Sequence, residues 1–253
     1  MTNEEMLEHL SSTLEKLENM LHSLGLSDNP THKQKAMKVA YWLKSYSDFV
    51  LNEDKFNINS YPSYKYRSII NVDFGFRLGS EIGGWHYAVV LDKNNNRSSD
   101  TVTVVPLVSL KLTSRNSKHT IILPNGIYDA YNKKLESHIN IGNKLLSEAK
   151  ALLSNLEFSM DKEQQDFIST EIRLRTKHAN QIIDEGNDIA KQIRKLKGGT
   201  VACISQITTI SKRRIVTPKS HKHILYNIKI SEEEMKLIQN AIVDSYINKD
   251  SIK

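Results

Sequence analysis

The chain has 253 residues, 39% of them apolar, a formal charge of +6 and one cysteine, Cys203. This is length for one or two domains with a real core, and it leaves no internal disulfide and no cysteine-based zinc site. No apolar run reaches the roughly 20 residues of a spanning helix, and Glu4, Glu5 and Glu8 stand where a secretory leader is basic and then apolar, so a cytoplasmic protein with no membrane partner is expected.

The first region, 3–54, reads as helix. Leu7, Leu10, Leu14, Leu17, Leu21 and Leu24 recur at three- and four-residue steps. Gly25 is a natural stop, and Asn29-Pro30-Thr31 opens a second helix with Val39, Leu43 and Val50 along one side. Loose polar sequence with Tyr61-Pro62 marks a boundary. Strands are expected at Ser68–Phe76, Tyr87–Asp92, Thr101–Val108 and Lys118–Leu123, the last ended by Pro124-Asn125-Gly126.

Residues 129–197 return to helical spacing. Leu135, Ile139, Gly142, Leu146, Ala149, Leu153 and Leu156 form one stripe; Ile168, Ile172, Ala179, Ile182, Ile189, Ile193 and Leu196 form another. The polar stretch Ser159–Gln165 divides them, with Asp161 and Gln164 placed to cap the second arm. An antiparallel hairpin is expected, with Gly142 and Gly186 allowing close approach and Gly198-Gly199 ending it. A strand over Thr200–Ile207 follows. Ser231 with Glu234 three residues on is a capping box for a closing helix, Glu232–Ile247. The fold class is therefore α+β in three regions: 1–60 helical, 61–128 with 198–253 as a discontinuous β domain, and 129–197 as an inserted hairpin.

Charge is segregated. Residues 1–60 hold nine acidic and six basic residues, so the rest carries +9. No acid occurs between Thr101 and Tyr128, where Lys111, Arg115 and Lys118 stand, or between Ile204 and Ser231, where Lys212, Arg213 and Arg214 form the densest basic cluster. Phosphate backbones are bound largely through Lys and Arg, so a nucleic-acid partner fits. A solvated basic face has the same composition.

The segment Val72-Asp73-Phe74-Gly75-Phe76-Arg77-Leu78-Gly79-Ser80-Glu81-Ile82-Gly83-Gly84-Trp85-His86-Tyr87-Ala88-Val89-Val90-Leu91 resembles the opening of the PemK/MazF family of toxin endoribonucleases. There a first strand leads through a mobile Gly-Ser-Glu-x-Gly-Gly loop to an apolar strand. Val102–Ser109 resembles the family's third strand, and Val201–Arg214 its later strand and turn. The resemblance implies a small, strongly bent antiparallel β-barrel of the SH3-like type, usually dimeric. It implies metal-independent cleavage of single-stranded RNA through a cyclic phosphate, without a cofactor, silenced by a small acidic antitoxin. It covers about half the chain, and the N-terminal helices and the hairpin lie outside it.

Two departures touch the chemistry. His86 stands where many members carry arginine, and Val108, followed by Ser109, where many carry a catalytic threonine. Cleavage needs a base for the 2′-hydroxyl, an acid for the leaving oxygen and a cation for the phosphorane. Histidine suits either proton transfer, and Arg77, Lys111 or Arg115 the third task. His86, Ser109 and Arg77 are thus the candidate catalytic residues, with His119 as a second acid or base. Trp85, Lys111, Arg115, Lys118, Lys212, Arg213 and Arg214 are the candidate RNA contacts; no metal site is expected. The plain alternatives are a structural histidine, a turn serine, an exposed strand-end His119 and an Arg77–Glu81 surface pair. Strand alternation puts Trp85 and Tyr87 on the face opposite His86, so at least one belongs to the core. The competing functions are an inactive nucleic-acid- or protein-binding module, and a defence effector whose helical parts sense a partner.

Overall fold

The computed structural model describes residues 1–154, 161–195 and 199–247, the side chains at 192, 194 and 195 apart. Leu156, Ser159, Leu196 and Gly198, named above for the hairpin and its ends, lie outside the described residues. Among the described residues no helix is long and apolar enough to cross a membrane. The chain divides into two compact units, Met1–Asn57 with Asp73–Trp85, and Ile58–Val72 with His86 onward.

In the first unit, α1 spans Asn3–Gly25 and opens on a capping box between Thr2 and Glu5. Helix α2 spans Pro30–Leu51; the Asn29 side chain accepts the Thr31 N–H at 2.9 Å and Pro30 occupies the first turn, where a missing N–H costs nothing. The leucine stripe is only partly used. Leu17, Leu21 and Leu24 are half-buried, whereas Leu7, Leu10 and Leu14 are exposed. On α2, Ala36 and Val39 are buried, Leu43 is half-buried and Val50 is exposed.

The loop 73–85 belongs to this unit because Trp42 of α2 packs against Gly75. A Cβ on Gly75 would lie 2.7 Å from the indole ring, and its φ of +73° is one that glycine adopts without penalty. The loop base is cross-tied: the Phe74 N–H donates to the Gly84 carbonyl at 2.9 Å, and the Gly84 N–H to the Gly75 carbonyl at 2.7 Å. The Asp73 carboxylate accepts the Gly75 N–H.

The sheet is built from β1 (Ile69–Asp73), β2 (Trp85–Val90), β3 (Thr101–Ser109), β4 (Thr120–Leu123), β5 (Thr200–Cys203), β6 (Thr208–Ser211) and β7 (Ile215–Thr217). Its order is β4-β5-β3-β2-β1-β7, with β6 pairing the first half of β3 beyond β5. The pairs β1–β7, β2–β3, β3–β5, β3–β6 and β4–β5 are antiparallel. Among the described residues the ladder is open, with β4 and β7 at its ends, so the expected α+β class with an antiparallel sheet is met. The last expected strand, Thr200–Ile207, stops at Cys203 and turns through a short 3-10 segment, Ile204–Gln206. Strands β6 and β7 have only four and three residues, too few for an alternating pattern to stand out.

Helices α3 (Gly126–Ser154) and α4 (Lys162–Lys195) form the hairpin between β4 and β5, and α5 (Glu232–Tyr246) closes the described chain. The Asp161 carboxylate accepts the Gln164 N–H at 2.8 Å, as its spacing predicts. The main core gathers Val89, Val105, Leu107 and Ala202 of the sheet with Met235 and Ile238 of α5. It also includes Ile127, Tyr131 and Ile189, with Leu135 and Ile193 packed on it. Helix α3 thus starts three residues before the expected division at residue 129, and the base of the hairpin shares the core of the sheet. Fully burying a side chain of this size contributes about 1.5–3 kcal/mol. The glycine expectation is also revised. A Cβ on Gly142 or Gly186 would sit 3.7 or 3.6 Å from its nearest neighbour, an ordinary contact, so neither glycine is required by close approach.

Candidate functional site

The position of His86 follows from strand register. Strands β2 and β3 pair Tyr87 with Leu107 and Ala88 with Pro106. Side chains alternate along each strand, so their neighbours His86 and Val108 lie together on the face opposite Tyr87 and Leu107. Tyr87 and Leu107 face the main core, so His86 projects on the other side, where it is partly exposed. This satisfies the expectation for Trp85 and Tyr87: Tyr87 packs against the core, and Trp85 is 69% exposed. Ser109, exposed at the end of β3 and paired with Thr200, alternates to the face opposite Val108. His86 and Val108 therefore share a face of the sheet, and Ser109 lies on the other.

Beyond β3 the chain runs through a cationic loop. Lys111, Arg115, Lys118 and His119 are all exposed. The loop is organised by its hydroxyls: the Ser114 side chain accepts the Lys111 N–H at 2.9 Å, Ser117 accepts the His119 N–H at 3.1 Å, and Thr120 donates to the Arg115 carbonyl at 2.9 Å. Those bonds occupy backbone atoms, so the charged side chains project into solvent from a shaped loop.

The other basic cluster divides. Lys212 is 1% exposed; its ammonium donates to the Asn96 carbonyl at 2.9 Å and its backbone N–H to the Asp100 carbonyl at 2.8 Å. Burial pushes its pKa down, with Asp100 and Asp92 working against the shift. Its assignment as an RNA contact is corrected: it anchors the 93–100 turn, a role the run Lys-Arg-Arg does not announce. Arg213 and Arg214 are partly exposed, and the charge of Arg213 acts on Tyr61.

Arg77 stays with the first unit. Its Nε donates to the Phe74 carbonyl at 3.1 Å, and its guanidinium lies 3.7 Å from Glu81, the pairing that i,i+4 spacing offers. Arg77, Glu81 and Trp85 line a cavity of about 550 Å³ together with Lys38, Tyr41 and Trp42 of α2. Sequence reading missed the contribution of α2, because no local motif links Trp42 to a glycine 33 residues away. Cys203 is buried, and burial raises its thiol pKa to about 11, so a reactive thiolate does not form there near neutrality.

Compared with protein-family models and with curated proteins, the chain matches none.

Proposed function

We propose that the chain is a metal-independent endoribonuclease of the PemK/MazF type, built on an SH3-like barrel and held in check by a small acidic antitoxin. The observation that carries this reading is the β2–β3 register, which leaves His86 partly exposed on the face away from the core, beside the strand that runs on into the acid-free loop of Lys111, Arg115, Lys118 and His119. In this reading RNA runs along that loop. His86 takes the proton of a 2′-hydroxyl as it attacks the adjacent phosphorus, or delivers one to the departing 5′-oxygen, and the loop cations stabilise the phosphorane. The bond that forms is 2′-O–P and the bond that breaks is P–O5′, leaving a cyclic phosphate and a free 5′-hydroxyl.

Val108 favours a second reading. An apolar Val108 on the face of His86, with Ser109 on the other face, is what a non-catalytic RNA-binding module would allow. Incubating the full chain with mixed single-stranded RNA in chelator, and mapping the new ends, separates the two. Cyclic phosphate ends support the nuclease; binding without new ends supports the module.

A further inference from the structure

The cavity of the first unit has features that the proposed cleavage chemistry does not use. Its volume, about 550 Å³, lies within the range of small-ligand sites. Both tryptophans of the chain, Trp42 and Trp85, line it. So does Tyr41, and both rim aromatics are held open to water, Tyr41 at 66% and Trp85 at 69% exposure. Large aromatic faces left in solvent at a cavity mouth gain most from a flat ligand. Trp42 is fixed rather than loose: it packs against Gly75 and makes tilted contacts with Tyr46 and Phe49 at ring separations of 5.6 and 6.2 Å. A preformed aromatic wall loses little entropy when a ring stacks on it.

The polar lining selects among flat ligands. Lys38 and Arg77 supply cationic donors for a phosphate, and the exposed Glu81 carboxylate supplies an acceptor for ring N–H or amino groups, while Asp73 is buried and holds the loop through the Gly75 N–H. Gly79 and Gly84 leave open space where a Cβ would stand, so a ligand can approach the loop backbone closely. Gly75 and Gly83 also line it, and there a Cβ would collide with the Trp42 ring and the Gly75 carbonyl.

We propose that this cavity is a nucleotide pocket that takes one unpaired base of an RNA strand with its phosphate, the base stacking on the aromatic wall and the phosphate reaching Lys38 and Arg77. The proposal rests on the RNA-binding reading for its choice of ligand, and it assigns α2 a part in RNA recognition. A carboxylate among aromatics also suits an organic cation, and that is the outcome that competes with it.

The test is a titration of the full chain with AMP, GMP, CMP and UMP, read by intrinsic fluorescence, because every tryptophan reports from this cavity. The expected result is saturable quenching by at least one nucleotide. Tyr41→Ala and Trp85→Ala should weaken it by roughly 5- to 150-fold, corresponding to about 1–3 kcal/mol per stacked base. His86→Ala should leave it unchanged, which separates the pocket from the cleavage site. Quenching by tetramethylammonium alone, or nucleotide binding indifferent to both aromatic substitutions, overturns the proposal. So does the absence of quenching by all four nucleotides in a His86→Ala chain that still binds labelled oligonucleotide; there the RNA reading survives and the pocket does not. Nucleotide binding in a wild-type chain that never cleaves RNA supports the pocket and removes the nuclease.

Discussion

The Glu234 carboxylate accepts the backbone N–H of Gly126 at 2.5 Å, tying the closing helix to the first residue of the hairpin. The same oxygen takes the Asn125 N–H at 3.1 Å, and the other oxygen completes the capping box with Ser231. One buried side chain thus caps two helices. Glu234→Ala leaves N–H groups at both helix starts without that acceptor and is expected to cost about 2–3 kcal/mol of stability, read by denaturant unfolding. Glu234→Gln retains one acceptor and should cost less. Equal, negligible losses would mean that solvent replaces the carboxylate freely.

The hairpin provides a second test, because its base and its tip differ. Excising 130–197 removes Tyr131 and Ile189 from the core, and that protein is expected to be molten or insoluble. Removing only 143–181, with a short turn joining 142 to 182, keeps the buried base and should give a cooperative unfolding transition. Within the arm, Gly186→Ala meets no clash and should stabilise the helix by about 0.5–1 kcal/mol. A destabilised Gly186→Ala would show that the seam is tighter than its 3.6 Å contact.

A pH dependence should arise beside Lys134. Its ammonium, on α3, donates to the Ile224 and Tyr226 carbonyls at 2.5 and 3.0 Å. The ring nitrogen Nδ1 of His223 accepts the Leu225 N–H at 3.0 Å and must be unprotonated to do so. Burial, and then the charge of Lys134, lower the pKa of His223 in the folded state. The unfolded chain therefore binds the proton first, so the stabilisation is fully present above about pH 6.5 and is lost as pH falls below it. Melting temperature should drop from about pH 7.5 to about pH 5.5, a range that spans the ordinary histidine pKa, and drop less in His223→Asn, whose side-chain oxygen can accept the same N–H. Parallel pH curves for the two proteins would assign the effect to another group.

How much of this was legible in the sequence depended on how local the cause was. The caps at Asn29, Asp161 and Ser231 were readable because donor and acceptor lie within three residues. The placement of Tyr87 toward the core followed from alternation alone. What was not legible depends on partners far along the chain. Trp42 meets Gly75, Lys212 reaches Asn96, and Glu234 reaches Gly126. Amphipathic spacing likewise predicted the whole α1 stripe but could not tell that Leu7, Leu10 and Leu14 remain exposed. Among the catalytic candidates, alternation along β3 is by itself enough to put Ser109 on the face opposite Val108.

The basic residues separate by the same logic. Neutralising Lys111, Arg115 and Lys118 should reduce the logarithmic salt slope of single-stranded RNA binding by about 0.7 for each phosphate that the loop no longer neutralises, with little change in stability. Lys212→Ala should instead lower stability and leave the slope of the folded protein unchanged, since its ammonium is buried on Asn96. A reduced slope in a fully stable Lys212→Ala protein would contradict the assignment.

In the proposed function His86 carries RNA cleavage, and one measurement addresses that role most directly. Purified wild-type and His86→Ala chains, shown to have matching melting transitions, are incubated with single-stranded RNA in excess chelator, and cyclic phosphate ends are quantified. Such ends are expected from the wild type, with a loss of at least about 100-fold in His86→Ala, the usual contribution of a positioned acid or base. Cleavage by a folded His86→Ala chain at the wild-type rate would contradict the role of His86.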